Sequence, residues 1–149
     1  MSLEEKVNNR IKEAMKAKDK VVLESLRAIK AAILLAKTEK GGSDALTEDA
    51  EMKLLQKLVK QRKESAEIYK SQGREDLYQN EWKEKEVIEQ FLPKQLSEED
   101  IKEVLKGVIA EVGAAAPSDL GRVMGVATKK LAGKADGKVI AQLVKGMLG

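Results

Sequence analysis

Apolar residues recur along this chain at the three- and four-residue spacing of helices, and no stretch alternates long enough to suggest a strand. Leu3, Val7, Ile11, Ala14 and Met15 form the first stripe, behind a capping box of Ser2 and Glu5. They predict a helix over residues 3–17. Asp19 caps a second helix, whose stripe is Val22, Leu26, Ile29, Ile33 and Ala36. The pair Gly41-Gly42 stops it, and residues 41–46 read as a flexible connection.

Thr47 opens the longest helix, about 48–72, with Leu54, Leu55, Leu58 and Val59 in its first half and Ala66, Ile68 and Tyr69 in its second. Gly73 ends it. A fourth helix, about 75–91, carries Leu77, Tyr78, Val87, Ile88 and Phe91, with Trp82 between the two apolar clusters. Leu92-Pro93-Lys94 breaks the chain there, because Pro93 has no amide to continue the ladder. Beyond the break, Ser97 with Asp100 starts a fifth helix over 98–112, built on Ile101, Val104, Leu105, Val108, Ile109 and Val112. Gly113 to Pro117 ends it, and Ser118 is the expected cap of a sixth over 119–131, with Leu120, Val123, Met124, Ala127 and Leu131 inward. After Gly133, Asp136 caps a seventh that runs to about Leu148 on Val139, Ile140, Leu143, Val144 and Met147. The expectation is all-α: a four-helix N-terminal region over residues 1–92 and a small three-helix C-terminal domain over 93–149.

Composition narrows what such a protein does. The chain of 149 residues has no cysteine and no histidine, which removes disulfides, thiolate metal sites and every mechanism that needs an imidazole. Carboxylates are spread over helix surfaces, so none stands out as a general acid or base, and no metal or cofactor is implied. The longest apolar run, Ala31 to Ala36, is far too short for a membrane span of about 20 residues. The first residues are charged from Glu4 and lack the apolar core of a signal peptide, so the expected location is cytoplasmic.

Charge is unevenly placed. Residues 1–93 are nearly balanced, whereas residues 117–149 hold six Lys/Arg against two Asp/Glu. That points to an anionic partner for the tail. The loop Gly133-Lys134-Ala135-Asp136-Gly137-Lys138 resembles a phosphate-binding loop only superficially. Its two Gly-Lys pairs have Thr128 and Ala132 where the first Gly of a P-loop stands, and Ala135 and Val139 where a hydroxyl is needed. Nucleotide hydrolysis is not expected of it. A helix N-terminus flanked by Lys134 and Lys138 does suit a nucleic-acid phosphate. Gly121 and Gly125 share one face of the sixth helix, and their helix-propensity cost leads one to expect a close backbone approach there. No aromatic follows Phe91, so binding by this tail would rest on the shape and phosphates of a folded RNA and not on stacked bases. A helix-turn-helix reader is disfavoured by the six-residue loop. Lys60-Gln61-Arg62-Lys63 is a second basic cluster, read as a solvated face paired with Glu64 and Glu67.

Four blocks carry a family resemblance: Glu24–Ile33, Lys60–Tyr69, Phe91–Glu99, and Leu120–Gly125 together with Gly133–Lys138. In this order they resemble the YqeY family, and the C-terminal part is similar to the tail domain of the B subunit of glutamine-dependent tRNA amidotransferase. The resemblance implies a tail that helps hold tRNA, with Arg122, Lys129, Lys130, Lys134, Lys138 and, more weakly, Lys145 as contacts. It implies a non-catalytic tRNA-binding or tRNA-enzyme-associated adaptor, with an aminoacyl-tRNA synthetase or amidotransferase as protein partner. The alternatives are an accessory component of a carbon–nitrogen ligase that uses glutamine as amido-nitrogen donor, and a protein-interaction module that docks through the 48–72 helix and Trp82.

Overall fold

The computed structural model describes residues 2–39, 41 and 45–149. Among them the chain forms seven α-helices and no strand: α1 (Leu3–Ala17), α2 (Lys20–Glu39), α3 (Glu48–Ser71), α4 (Glu75–Glu89), α5 (Glu98–Val112), α6 (Leu120–Lys130) and α7 (Gly137–Leu148). The protein is all-α.

Local chemistry explains most boundaries. The Ser2, Thr47 and Ser97 hydroxyls accept the amides of Glu5, Ala50 and Asp100 at 3.2, 3.1 and 3.2 Å, each closing the first turn of its helix. Asp19 accepts the Val22 amide at 3.2 Å and so starts α2. Between α1 and α2, Lys18 takes the left-handed conformation at φ +57° that usually falls to glycine. Gly113, at φ +68°, caps α5. Gly41 closes a turn onto the Thr38 carbonyl, whereas Gly42 and the rest of the expected loop to Asp44 lie outside the described residues.

Helix α4 stops two residues before the predicted end. The amides of Gln90, Phe91 and Leu92 reach back only three residues, to Val87, Ile88 and Glu89, the tightening that commonly finishes a helix. Pro93 then has no amide to offer.

The chain divides into two compact units, Met1–Leu92 and Pro93–Gly149. In the first, Leu3, Val7, Leu26, Ile29, Ile33, Leu55, Val87 and Ile88 make one core among α1 to α4. The N-terminus of α1 is held from a distance: the Leu3 amide donates to Glu51 Oε2 of α3 at 2.9 Å, and Lys37 of α2 pairs with Glu4. Two residues of the predicted stripes face solvent instead, Met15 at 56% and Ile68 at 55% exposure. In the second unit, Ile101, Leu105, Val108, Val123, Ala127, Leu131, Ile140, Val144 and Leu148 form a separate core among α5, α6 and α7.

Candidate nucleic-acid interface

The basic tail is organised by two junctions, one before α6 and one after it. Pro117–Asp119 form a single 3-10 turn leading into α6. Ser118 does not cap this helix as expected; the side chain that orders the junction is Asp119. Its Oδ2 accepts the Ala115 and Ala116 amides at 3.0 and 3.2 Å, and its Oδ1 lies 2.7 Å from Arg122 Nη2. Arg122 Nη1 donates onward to the Val112 carbonyl at the end of α5, at 3.3 Å. The Ala115 amide, the Arg122 guanidinium and the Ala116 amide together draw the Asp119 carboxyl down to about 2. Arg122 is therefore occupied in joining α5 to α6.

The second junction is the Gly133–Asp136 turn. Gly133 takes φ +74°, and the Lys134 amide closes onto the Leu131 carbonyl at 2.9 Å. The segment after Pro93 clamps this turn from outside it. Leu96 donates its amide to the Lys134 carbonyl at 3.0 Å, and Gln95 Nε2 donates to the Gly133 carbonyl at 2.6 Å. With its backbone fixed on both sides, Lys134 leaves its side chain exposed. Asp136 caps α7 as expected, accepting the Lys138 amide at 2.9 Å. This changes the loop's chemistry. The α7 N-terminus already carries a carboxylate, so an incoming phosphate meets lysine side chains and not a ready cradle of free amides.

The six basic residues thus fall into two groups. Arg122 is bound to Asp119, and Lys130 pairs with Glu111 at 2.8 Å. Lys129, Lys134, Lys138 and Lys145 are exposed and have no ion-pair partner among the described residues. Lys138 and Lys145 are seven residues apart and share a face of α7, Lys129 lies on the outer side of α6, and Lys134 sits in the turn that joins these helices.

Gly121 and Gly125 correct one expectation. A methyl group at either position would meet nothing within 4 Å among the described residues, so none of their helices approaches there. They are open, exposed positions on the outer side of α6, beside Arg122 and Lys129. Their effect is to leave a stretch of that surface without side chains between the cations.

The basic cluster of α3 differs. Lys60 and Lys63 are exposed, but the expected pairs with Glu64 and Glu67 are not closed among the described residues. Arg62 is half-buried near Glu84 of α4. Burial and the neighbouring Glu81 lift the Glu84 carboxyl above its ordinary range; Arg62 opposes that rise and Glu24 adds to it. Trp82 is half-buried, stacks on Tyr78 with ring centroids 5.9 Å apart, and has Lys85 Nζ 3.9 Å from its centroid. It is largely engaged by its own unit. Among the described residues no group of three or more acidic side chains is placed to hold a metal ion, and no helix is long and apolar enough to cross a membrane.

The family model described as "Yqey-like protein" matches residues 4–148. A curated relative in Clavispora lusitaniae, "Altered inheritance of mitochondria protein 41, mitochondrial", is 36% identical over 106 residues, or 70% of this chain. The match spans 61% of that protein, less than two thirds of its length. A relative of the same name in Pyrenophora tritici-repentis is 29% identical over 143 residues, covering 93% of this chain and 77% of its own. Both names carry the word mitochondrial, and this overturns the expected cytoplasmic location. The physical reason is that a signal peptide's apolar core marks secretion alone, so its absence from the first residues selects no compartment.

Proposed function

Because the chain belongs to the YqeY-like family over residues 4–148, we propose that it is a non-catalytic tRNA-binding adaptor, acting on tRNA directly or beside a tRNA enzyme such as an aminoacyl-tRNA synthetase or an amidotransferase. The observation that carries this reading is the set of four exposed lysines without an ion-pair partner among the described residues, Lys129, Lys134, Lys138 and Lys145, set on α6, α7 and the turn between them. Exposed lysines are strongly hydrated point charges that suit phosphate oxygens, and they carry no base-specific information.

The open positions Gly121 and Gly125 support the same reading, since a sugar–phosphate backbone can come close to α6 where no side chain stands. Arg122 and Lys130 already meet Asp119 and Glu111, so a phosphate would have to share them with those carboxylates. With no aromatic platform in this unit, recognition rests on the shape of a folded RNA. Any carbon–nitrogen bond formation with glutamine as nitrogen donor belongs to a partner enzyme under this reading.

The test compares direct binding of folded tRNA with that of single-stranded RNA and duplex DNA of equal charge, at one salt concentration. Tighter binding of the folded tRNA is the expected result. Equal binding of all three overturns the tRNA assignment and leaves only a general polyanion surface. Loss of none of the binding on charge reversal at Lys134 and Lys138 overturns the site.

A further inference from the structure

Helix α2 buries Leu26, Ile29 and Ile33 on one side, where α1, α3 and α4 pack against it. Its opposite side is less polar than a solvent-facing helix surface ordinarily is. Leu34 and Leu35 stand there 48% and 62% exposed. Positions 27, 31, 35 and 39 form one i,i+4 ridge, and it reads Arg27, Ala31, Leu35, Glu39, every residue exposed. The ridge has a cation at one end, an anion at the other, and one small and one large apolar residue between them. Neither Arg27 nor Glu39 has an ion-pair partner among the described residues.

We propose that this ridge is the contact between two copies of the chain, paired antiparallel about a two-fold axis. Reversing the ridge exchanges its ends. Arg27 of one copy then faces Glu39 of the other, and Ala31 faces Leu35, so both charges are met and a large side chain lies opposite a small one. The two-fold axis produces each pairing twice. When i,i+4 ridges of two helices interdigitate, the ridges themselves align while the axes cross at about −50°, so the charged ends stay in register. Glu39 also sits in the last turn of α2, where the helix dipole favours an approaching cation. Leu34 widens the apolar strip. A different protein would need no such reversal symmetry in the ridge, and it is that symmetry which selects a second copy. A contact on one helix is small, so the dimer is a weak one that forms as concentration rises.

Sedimentation equilibrium of the full chain, from about ten micromolar to about half a millimolar, tests this. A monomer–dimer equilibrium is expected, weakened at least roughly tenfold by Leu35→Glu, which removes the central apolar contact. Arg27→Glu and Glu39→Arg should each weaken it, and the double variant should restore it, because the swapped ridge is again its own complement. All these positions are exposed, and circular dichroism verifies that each variant keeps its helices. A monomer throughout the range, a dimer indifferent to Leu35→Glu, or a double variant as weak as the single ones overturns the proposal.

Discussion

Replacing Gly125 by alanine should make the C-terminal unit more stable, an unusual outcome for a change inside a proposed binding surface. Gly125 lies in the middle of α6, its φ is not in the left-handed region, and an added methyl would touch nothing within 4 Å. No steric penalty opposes the change. What remains is intrinsic propensity, which favours alanine over glycine in a helix interior by about 0.8–1.0 kcal/mol. Part of this gain comes from restricting the unfolded chain. An unfolding entropy near 2.1 cal/mol/K per residue converts about 1 kcal/mol into a rise in Tm of roughly 8 °C if Pro93–Gly149 melts alone, and roughly 3 °C if the whole chain melts together. Thermal melts followed by circular dichroism measure the shift. Fluorescence of Trp82, the one tryptophan, reports the N-terminal unit and tells the two cases apart. A fall in Tm would refute the reasoning, because it requires a neighbour at Gly125 that the structure does not contain. Under the proposed function the same variant should bind tRNA more weakly than the native chain, since the methyl would stand where the RNA backbone is proposed to come close.

Three further outcomes follow from single side chains. Ser97→Ala removes the hydroxyl that accepts the Asp100 amide and should cost about 1 kcal/mol in urea unfolding. Asp119 is held at about 2 in the folded chain, below its ordinary 3.8, so its stabilisation is fully present above that ordinary value and is lost as pH falls towards the folded one. Melts between about pH 5 and pH 2 should therefore show a steeper acid loss in the native chain than in Asp119→Asn. Glu84 has the opposite sign: its folded carboxyl titrates higher than in the unfolded chain, so its ionised form opposes folding at neutral pH and the cost is relieved as pH falls through the raised value. Glu84→Gln should raise stability at pH 7, with a gain that disappears on acidification, and a variant less stable than native at neutral pH would show that Arg62 outweighs the burial.

Much of the fold was legible because it is local. Ser2, Thr47, Ser97 and Asp136 each precede an apolar stripe, and a cap acts on amides two or three residues away, within reach of pattern reading. Where α4 ends was less legible, since the last turn tightens before Pro93 intervenes. The outward turn of Met15 and Ile68 was not readable at all, because a wide stripe does not say which of its edges a partner helix covers. The glycines of α6 show the same limit: spacing reveals that Gly121 and Gly125 share a face, and only packing reveals that the face is open.

The site was partly legible in the same sense. The six basic residues were visible as a charge surplus, but their division into engaged and unpaired depends on Asp119 and Glu111. One signal was available for Arg122. A cation in the first turn of a helix stands at the unfavourable end of the dipole and calls for a nearby anion, here Asp119 three residues before it. The clamp of Gln95 and Leu96 on the Gly133–Lys134 turn had no such signal, since it links segments 38 residues apart.

Under the proposed function four lysines meet the phosphates of a folded tRNA, and the salt dependence of binding reads out those contacts. Each phosphate contact adds somewhat less than one to the slope of log affinity against log salt, so the native chain should give roughly −3 to −4. Replacing Lys129, Lys134, Lys138 and Lys145 together by alanine should bring the slope close to zero and remove most of the affinity at moderate salt. An unchanged slope in that quadruple variant, with tRNA still bound, would show that these lysines do not meet the RNA.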